Sequence, residues 1–331
     1  MKNILKIVLA VGAALAVVAG VLAWRWYNDN KRPNFRHEAV IYVYPGDDAG
    51  EVMKTIADSA GVLRMSSLVR AFEDKKVSEY IQPGRYVVKP SSSSVYVARM
   101  LNNGWQSPTR PAPSGTMRRP GDTAPKITNH RVGDSAEVAA ALNDDALLSE
   151  FGFNSVNVFS LFIPDTYEMY WTASVRDILQ KQKDAYDAFW TPENVAKAQK
   201  LGLTKEQVSI LASIVKGETN YEPEMPAVAG VYLNRLRIGM LLQADPTVAY
   251  CFDYEPNRIL LRHLQVDSPY NTYKYAGLPP GPIAVPTKAC LNAVLNPDPH
   301  NYIYFCANAD FSGTHAFAST LAEHMRNARA F

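Results

Sequence analysis

The stretch Thr204-Lys205-Glu206-Gln207-Val208-Ser209-Ile210-Leu211-Ala212-Ser213-Ile214-Val215-Lys216-Gly217-Glu218-Thr219 decides how the chain is read. Thr204 followed three residues later by Gln207 is a capping box, and Val208, Leu211, Ala212 and Val215 then recur at helical spacing. Glu218 continues that phase. It lies about 20° around the axis from Leu211, on the side that the apolar residues commit to burial, whereas Lys216 falls on roughly the opposite side. A carboxyl at the end of an apolar stripe is partly desolvated, so its neutral form is favoured and its pKa rises toward the range that suits protonation of a leaving group. Taken alone, a glutamate closing a helix is more often a solvated end or an ion-pair partner. Its meaning therefore rests on its surroundings.

Downstream, a helix beginning near Pro226 carries Val228, Val231, Asn234, Arg235 and Leu236. Polar residues then recur among turn formers, including Gln243, Asp245 and Tyr250, and Tyr270-Asn271-Thr272-Tyr273 leads into Gly277-Leu278-Pro279-Pro280-Gly281-Pro282-Ile283. The prolines restrict φ and the glycines permit close backbone approach, so this loop has little entropy left to lose on binding a ligand. A rigid connection without a ligand satisfies the same composition.

Upstream, Ile7 to Trp24 carries no charge and Trp24, Trp26 and Tyr27 follow at its end. As a helix this run spans roughly 27 Å, about the hydrocarbon thickness of a bilayer, with the aromatic residues at the interface. It predicts a membrane anchor over 7–27. The small residues around Val21-Leu22-Ala23 leave a cleaved signal peptide as the rival reading. Residues 38–104 read as strand, two helices, strand and helix, a small βααβ unit and its closing helix. Residues 105–136, rich in proline and arginine, read as an irregular connector in which Arg118 and Arg119 are solvated, with contact to an anionic polymer as the rarer reading. Residues 137–331 carry the chemistry. The fold class expected is α+β, with one transmembrane helix, the small module and a larger mixed α/β domain.

Composition narrows the function. Thirty-four basic and thirty-two acidic side chains leave a net charge of +2, which gives no global basic field to hold nucleic acid. Cys251, Cys290 and Cys306 form no CxxC pair, and His37, His130, His263, His300 and His324 have no metal-ligand spacing, so neither a metal nor a cofactor is called for. GxSxG and P-loop motifs are absent from the sequence.

Several separated motifs resemble the endolytic murein transglycosylases of the MltG/YceG type. They are Ile210 to Thr219, Tyr232-Leu233-Asn234-Arg235-Leu236, Leu242 to Val248, Tyr270 to Ile283, Phe162-Ile163-Pro164-Asp165-Thr166-Tyr167-Glu168 and Gly313-Thr314-His315-Ala316-Phe317. The resemblance covers nearly the whole chain, with residues 38–104 matching a LysM-like module. This sequence has Lys216 where the family often has an acidic residue, and Ser160 where a glycine is common.

The resemblance implies a lyase that cuts the β-1,4 bond between N-acetylmuramic acid and N-acetylglucosamine in nascent glycan strands and leaves 1,6-anhydro ends. Glu218 matches the family's catalytic glutamate, acting as acid and then as base. Asn234, Arg235, Gln243, Asp245, Asn271, Thr272, Tyr273, Pro279, Pro280, Gly281 and His315 are expected to bind substrate, with Tyr250 and Tyr270 as stacking platforms and Asp165 and Glu168 in support. Residues 1–6 would be a cytoplasmic tail, and the enzyme would sit in the bacterial cytoplasmic membrane, single-pass, with its catalytic domain outside. Glycan strands and the peptidoglycan synthases of elongation or division are the implied partners. A non-catalytic wall-binding scaffold and a hydrolase giving reducing ends remain alternatives.

Overall fold

The computed structural model describes residues 2–109, 117–128, 135–165, 167–310 and 312–330. Thr166 of the Phe162–Glu168 motif, and Arg110, Pro111, Pro113 and His130 of the expected connector, lie outside the described residues. Among the described residues two compact units separate: the first holds 2–109 with Glu168–Ala173, and the second holds the remainder.

The first unit begins with α1 (Lys2–Asn30), whose window of mean hydropathy 2.6 lies entirely exposed. A helix apolar on every side, with leucines and valines left uncovered, has the length and composition to cross a bilayer. Then follow β1 (Ala39–Val43), α2 (Ala49–Ala60), α3 (Met65–Asp74), the short α4 (Val77–Tyr80), β2 (Gly84–Val88) and α5 (Ser94–Asn102). The order is the one the sequence predicts, with α4 as an additional turn. β1 and β2 pair antiparallel with Ala39 opposite Val88, and alternate residues face the core of Ile41, Val43, Ile56, Leu68, Tyr86 and Leu101. Asp48 caps α2 and Ser93 caps α5, each accepting hydrogen bonds from backbone amides of the first turn.

The second unit opens with α6 (Pro120–Thr128), α7 (Ser135–Ala141) and α8 (Asp145–Ser149). α6 lies inside the stretch expected to be irregular. Proline is accepted at its first position, where the missing N–H costs nothing. α9 (Val175–Phe189) and α10 (Pro192–Lys200) lead to α11 (Lys205–Glu218), which carries the predicted capping box at Thr204 and Gln207. Every residue from Val208 to Val215 is buried, because α12 (Met225–Arg237), α13 (Asp245–Cys251) and α14 (Lys288–Leu295) all pack on α11. An antiparallel hairpin of β3 (Tyr304–Ala307) and β4 (His315–Ala318), then α15 (Leu321–Ala330), complete the unit. The three cysteines are free thiols.

Candidate active site

Glu218 is the last residue of the buried helix α11, which places its carboxyl where the core meets a cavity of about 430 Å³. The preceding Gly217 is required by packing. A Cβ there would lie 2.5 Å from Cβ of Pro246, so glycine lets the end of α11 press against the start of α13. Tyr232 of α12, 1% exposed, donates its hydroxyl to Oε1 of Glu218 at 2.6 Å. Burial pushes the Glu218 carboxyl up to about 7, the Tyr232 hydrogen bond and the charges of His315 and Arg235 pull it down, and the negative charge of Asp245 raises it. The group is thus poised to exchange a proton near neutral pH.

A second layer fixes the loop that carries Asp245. Arg235, buried on α12, donates to the carbonyls of Leu242 and Ile303. Thr272 accepts from the amide of Ala244 through its hydroxyl and from the amide of Gln243 through its carbonyl. Held from both sides, Gln243 adopts φ +49, a left-handed conformation that costs energy for a residue with a Cβ. Asp245 then opens α13, lines the Glu218 cavity, and accepts from the Tyr273 hydroxyl at 2.6 Å. Burial and Asp245 together push the Tyr273 phenol up. His315 of β4 binds Glu224 through both its backbone amide and Nδ1, each at 2.7 Å.

The structure brings Glu218, Asp245, Arg235, Tyr273 and His315 into one neighbourhood, and assigns other expected substrate contacts to different work. Asn234 spends its amide on the carbonyls of His300 and Tyr302, and Asn271 on those of Leu264 and Val266. Asn271 is 0% and Thr272 2% exposed, so neither has surface to offer a sugar; they hold loops. Gln243 stays exposed. The rings of Tyr250 and Tyr270 pack on each other, centroids 4.5 Å apart and planes tilted by 37°, and among the described residues Tyr254 is the tyrosine that lines the Glu218 cavity. Gly281 is also structural, since a Cβ there would meet the Val156 carbonyl oxygen at 2.1 Å. Pro279 and Pro280 border a different cavity of about 760 Å³, with Thr204 and Gln207. That cavity lies at the opposite end of α11, roughly 20 Å from Glu218 at helical rise. Asp165 pairs with Lys288 of α14, and Glu168 belongs to the first unit.

Three residues to which the sequence assigned no site role matter here. Tyr232 is a hydroxyl on the apolar face of α12, the one visible signal for it. Arg118, expected in solvent, stacks 4.1 Å over the Tyr254 ring and lines the Glu218 cavity. Lys216, expected on the far side of α11, lines the cavity as well, because its long stem carries the ammonium round to Asn220.

A half-buried carboxyl pushed up to about 7 beside an open, polar cavity has the chemistry that general acid–base work requires. The chain belongs to the YceG-like family, which it matches over residues 41–330. It is 38% identical over 154 residues to an endolytic murein transglycosylase of Bacillus subtilis (strain 168), covering 46% of this chain and 41% of that protein. It is 28% identical over 169 residues to another of the same name from Streptococcus pneumoniae serotype 2 (strain D39 / NCTC 7466), covering 50% of this chain and 30% of that protein. The chain thus spans well under half the length of these curated relatives. A crystal structure of a YceG-like protein from Listeria monocytogenes shares the fold, with TM-score 0.57 and 22% identity over 88% of this chain and 98% of that one.

Proposed function

We propose that this protein is a membrane-anchored endolytic lytic transglycosylase that cleaves the β-1,4 bond between N-acetylmuramic acid and N-acetylglucosamine and leaves 1,6-anhydro-muramoyl ends. The observation that carries the reading is Glu218, a carboxyl raised to about 7 at the wall of a polar cavity. In its neutral form it protonates the glycosidic oxygen as the bond to C1 breaks. The resulting carboxylate takes the proton of the muramoyl 6-hydroxyl, whose oxygen closes on C1. Tyr232 holds Oε1, which leaves Oε2 for the substrate. The charge of Asp245 on the same cavity wall favours the oxocarbenium-like transition state.

Helix α1 is the anchor in this reading, residues 38–104 act as a LysM-like module, and 137–331 form the catalytic domain outside the cytoplasmic membrane, beside the synthases that supply the strands. Asp245 is the one feature that favours a hydrolase, because paired carboxylates can activate water. Mass analysis of digested sacculi separates the two. Lyase ends are one water lighter than hydrolase ends, and Glu218→Gln is expected to yield neither. Reducing ends from the wild type would contradict the proposal.

A further inference from the structure

We infer that Arg118 and Arg258, with Lys216 beside them, form a carboxylate-reading subsite for the peptide stem of the muramoyl unit, on the wall of the cavity that Glu218 faces. The inference rests on the proposed function and names which part of the substrate this wall recognises.

The cavity lining contains three cationic side chains, Arg118, Lys216 and Arg258, against two carboxylates, Glu218 and Asp245. Arg119, next in sequence, is engaged by Asp122 and Asp253, at 3.3 and 3.7 Å. Among the described residues Arg118 and Arg258 have no ion-pair partner. Arg118 is nevertheless held in place. Its guanidinium stacks on Tyr254, and the Tyr254 hydroxyl donates to the Ile283 carbonyl at 2.6 Å. Ile283 is pinned from its other side by its own amide, which donates to Oγ of Ser213 on α11. The stacked arginine is therefore tied to the helix that ends in Glu218.

These cations do not serve the bond-breaking step. Positive charge near C1 opposes an oxocarbenium-like transition state, and positive charge near Glu218 favours loss of the proton it must donate. Their placement suits an anion that lies in the cavity but away from C1. The sugars themselves offer hydroxyl and acetamido groups, all neutral. The peptide on the lactyl ether of the muramoyl ring carries free carboxylates, and a guanidinium recognises a carboxylate by two parallel hydrogen bonds.

The test compares kcat/KM of the whole protein on stem-bearing glycan strands and on the same strands with their stem carboxylates converted to primary amides, for wild type, Arg118→Gln, Arg258→Gln and Arg258→Lys. Amidation is expected to cost the wild type about tenfold or more, through KM, and to cost each Gln variant much less. Arg258→Lys should retain part of the preference, and added salt should erode it. Equal losses on both substrates, or a wild type indifferent to amidation of the stem, would overturn the inference. A wild type that yields no anhydro ends on either substrate overturns the proposed function instead, so the two failures are told apart. Thermal unfolding midpoints of the variants matching the wild type exclude misfolding as the cause of any loss.

Discussion

Glu218 and Tyr232 share a hydrogen bond at 2.6 Å, and each makes the other measurable. The Tyr232 hydrogen bond favours the ionised carboxyl, so Tyr232→Phe should raise the Glu218 pKa further and move the alkaline limb of kcat/KM upward by ~0.5–1 pH unit, with a several-fold lower rate. An unmoved limb would reduce Tyr232 to a packing residue. Glu218 also makes stability depend on pH. Its pKa of about 7 in the folded protein lies above the ordinary 4.5, so the native state binds the proton more tightly, and stability present below pH 4.5 is lost as pH rises through 7. Glu218→Gln removes that loss. Urea unfolding should show the variant gaining on the order of 2–3 kcal/mol over the wild type between pH 4.5 and 7.5. Glu218 was legible in the sequence because its position depends only on helical phase. Tyr232 was not, because its contact joins two helices whose packing no local pattern encodes.

At the scale of elements, the close crossing of α11 and α13 sets the site. Gly217→Ala must push Pro246 away, and with it Asp245, so overpacking of about 1–3 kcal/mol and a clear drop in kcat are expected together, read by unfolding and steady-state kinetics. A variant with wild-type stability and rate would show that the crossing tolerates more space. The periodicity and caps of α11, α12 and the βααβ unit were readable because they are local. The loops were not. Asn271 and Thr272 looked like ligand contacts because polar residues among turn formers serve ligands and backbone alike, and only the fold shows that their partners are Leu264, Val266 and Ala244. α6 was missed because its prolines, one of them at the first helical position, resemble those of a linker.

In the whole molecule, the first unit joins α1 to the βααβ unit through side-chain locks. Asp29 at the end of α1 accepts two hydrogen bonds from Arg70 of α3, at 2.7 and 2.9 Å, and Arg64 donates to the Pro33 carbonyl at 2.8 Å. In vesicles, Arg70→Ala should raise the rate of tryptic cleavage after Lys31 roughly tenfold, since losing a part-buried charged pair populates the open form. Unchanged cleavage would mean that the pair does not hold α1. The apolar run of α1 was plain in the sequence, and this lock was not, because Asp29 and Arg70 are 41 positions apart.

The proposed chemistry turns on the protonation of one carboxyl, and a titration of Glu218 followed by carbon-13 NMR of its side-chain carboxyl, in the whole protein without substrate, measures it directly. The predicted midpoint is near pH 7 and moves upward in Tyr232→Phe. A midpoint near 4.5, the ordinary glutamate value, would contradict the claim that Glu218 enters the reaction as a neutral acid.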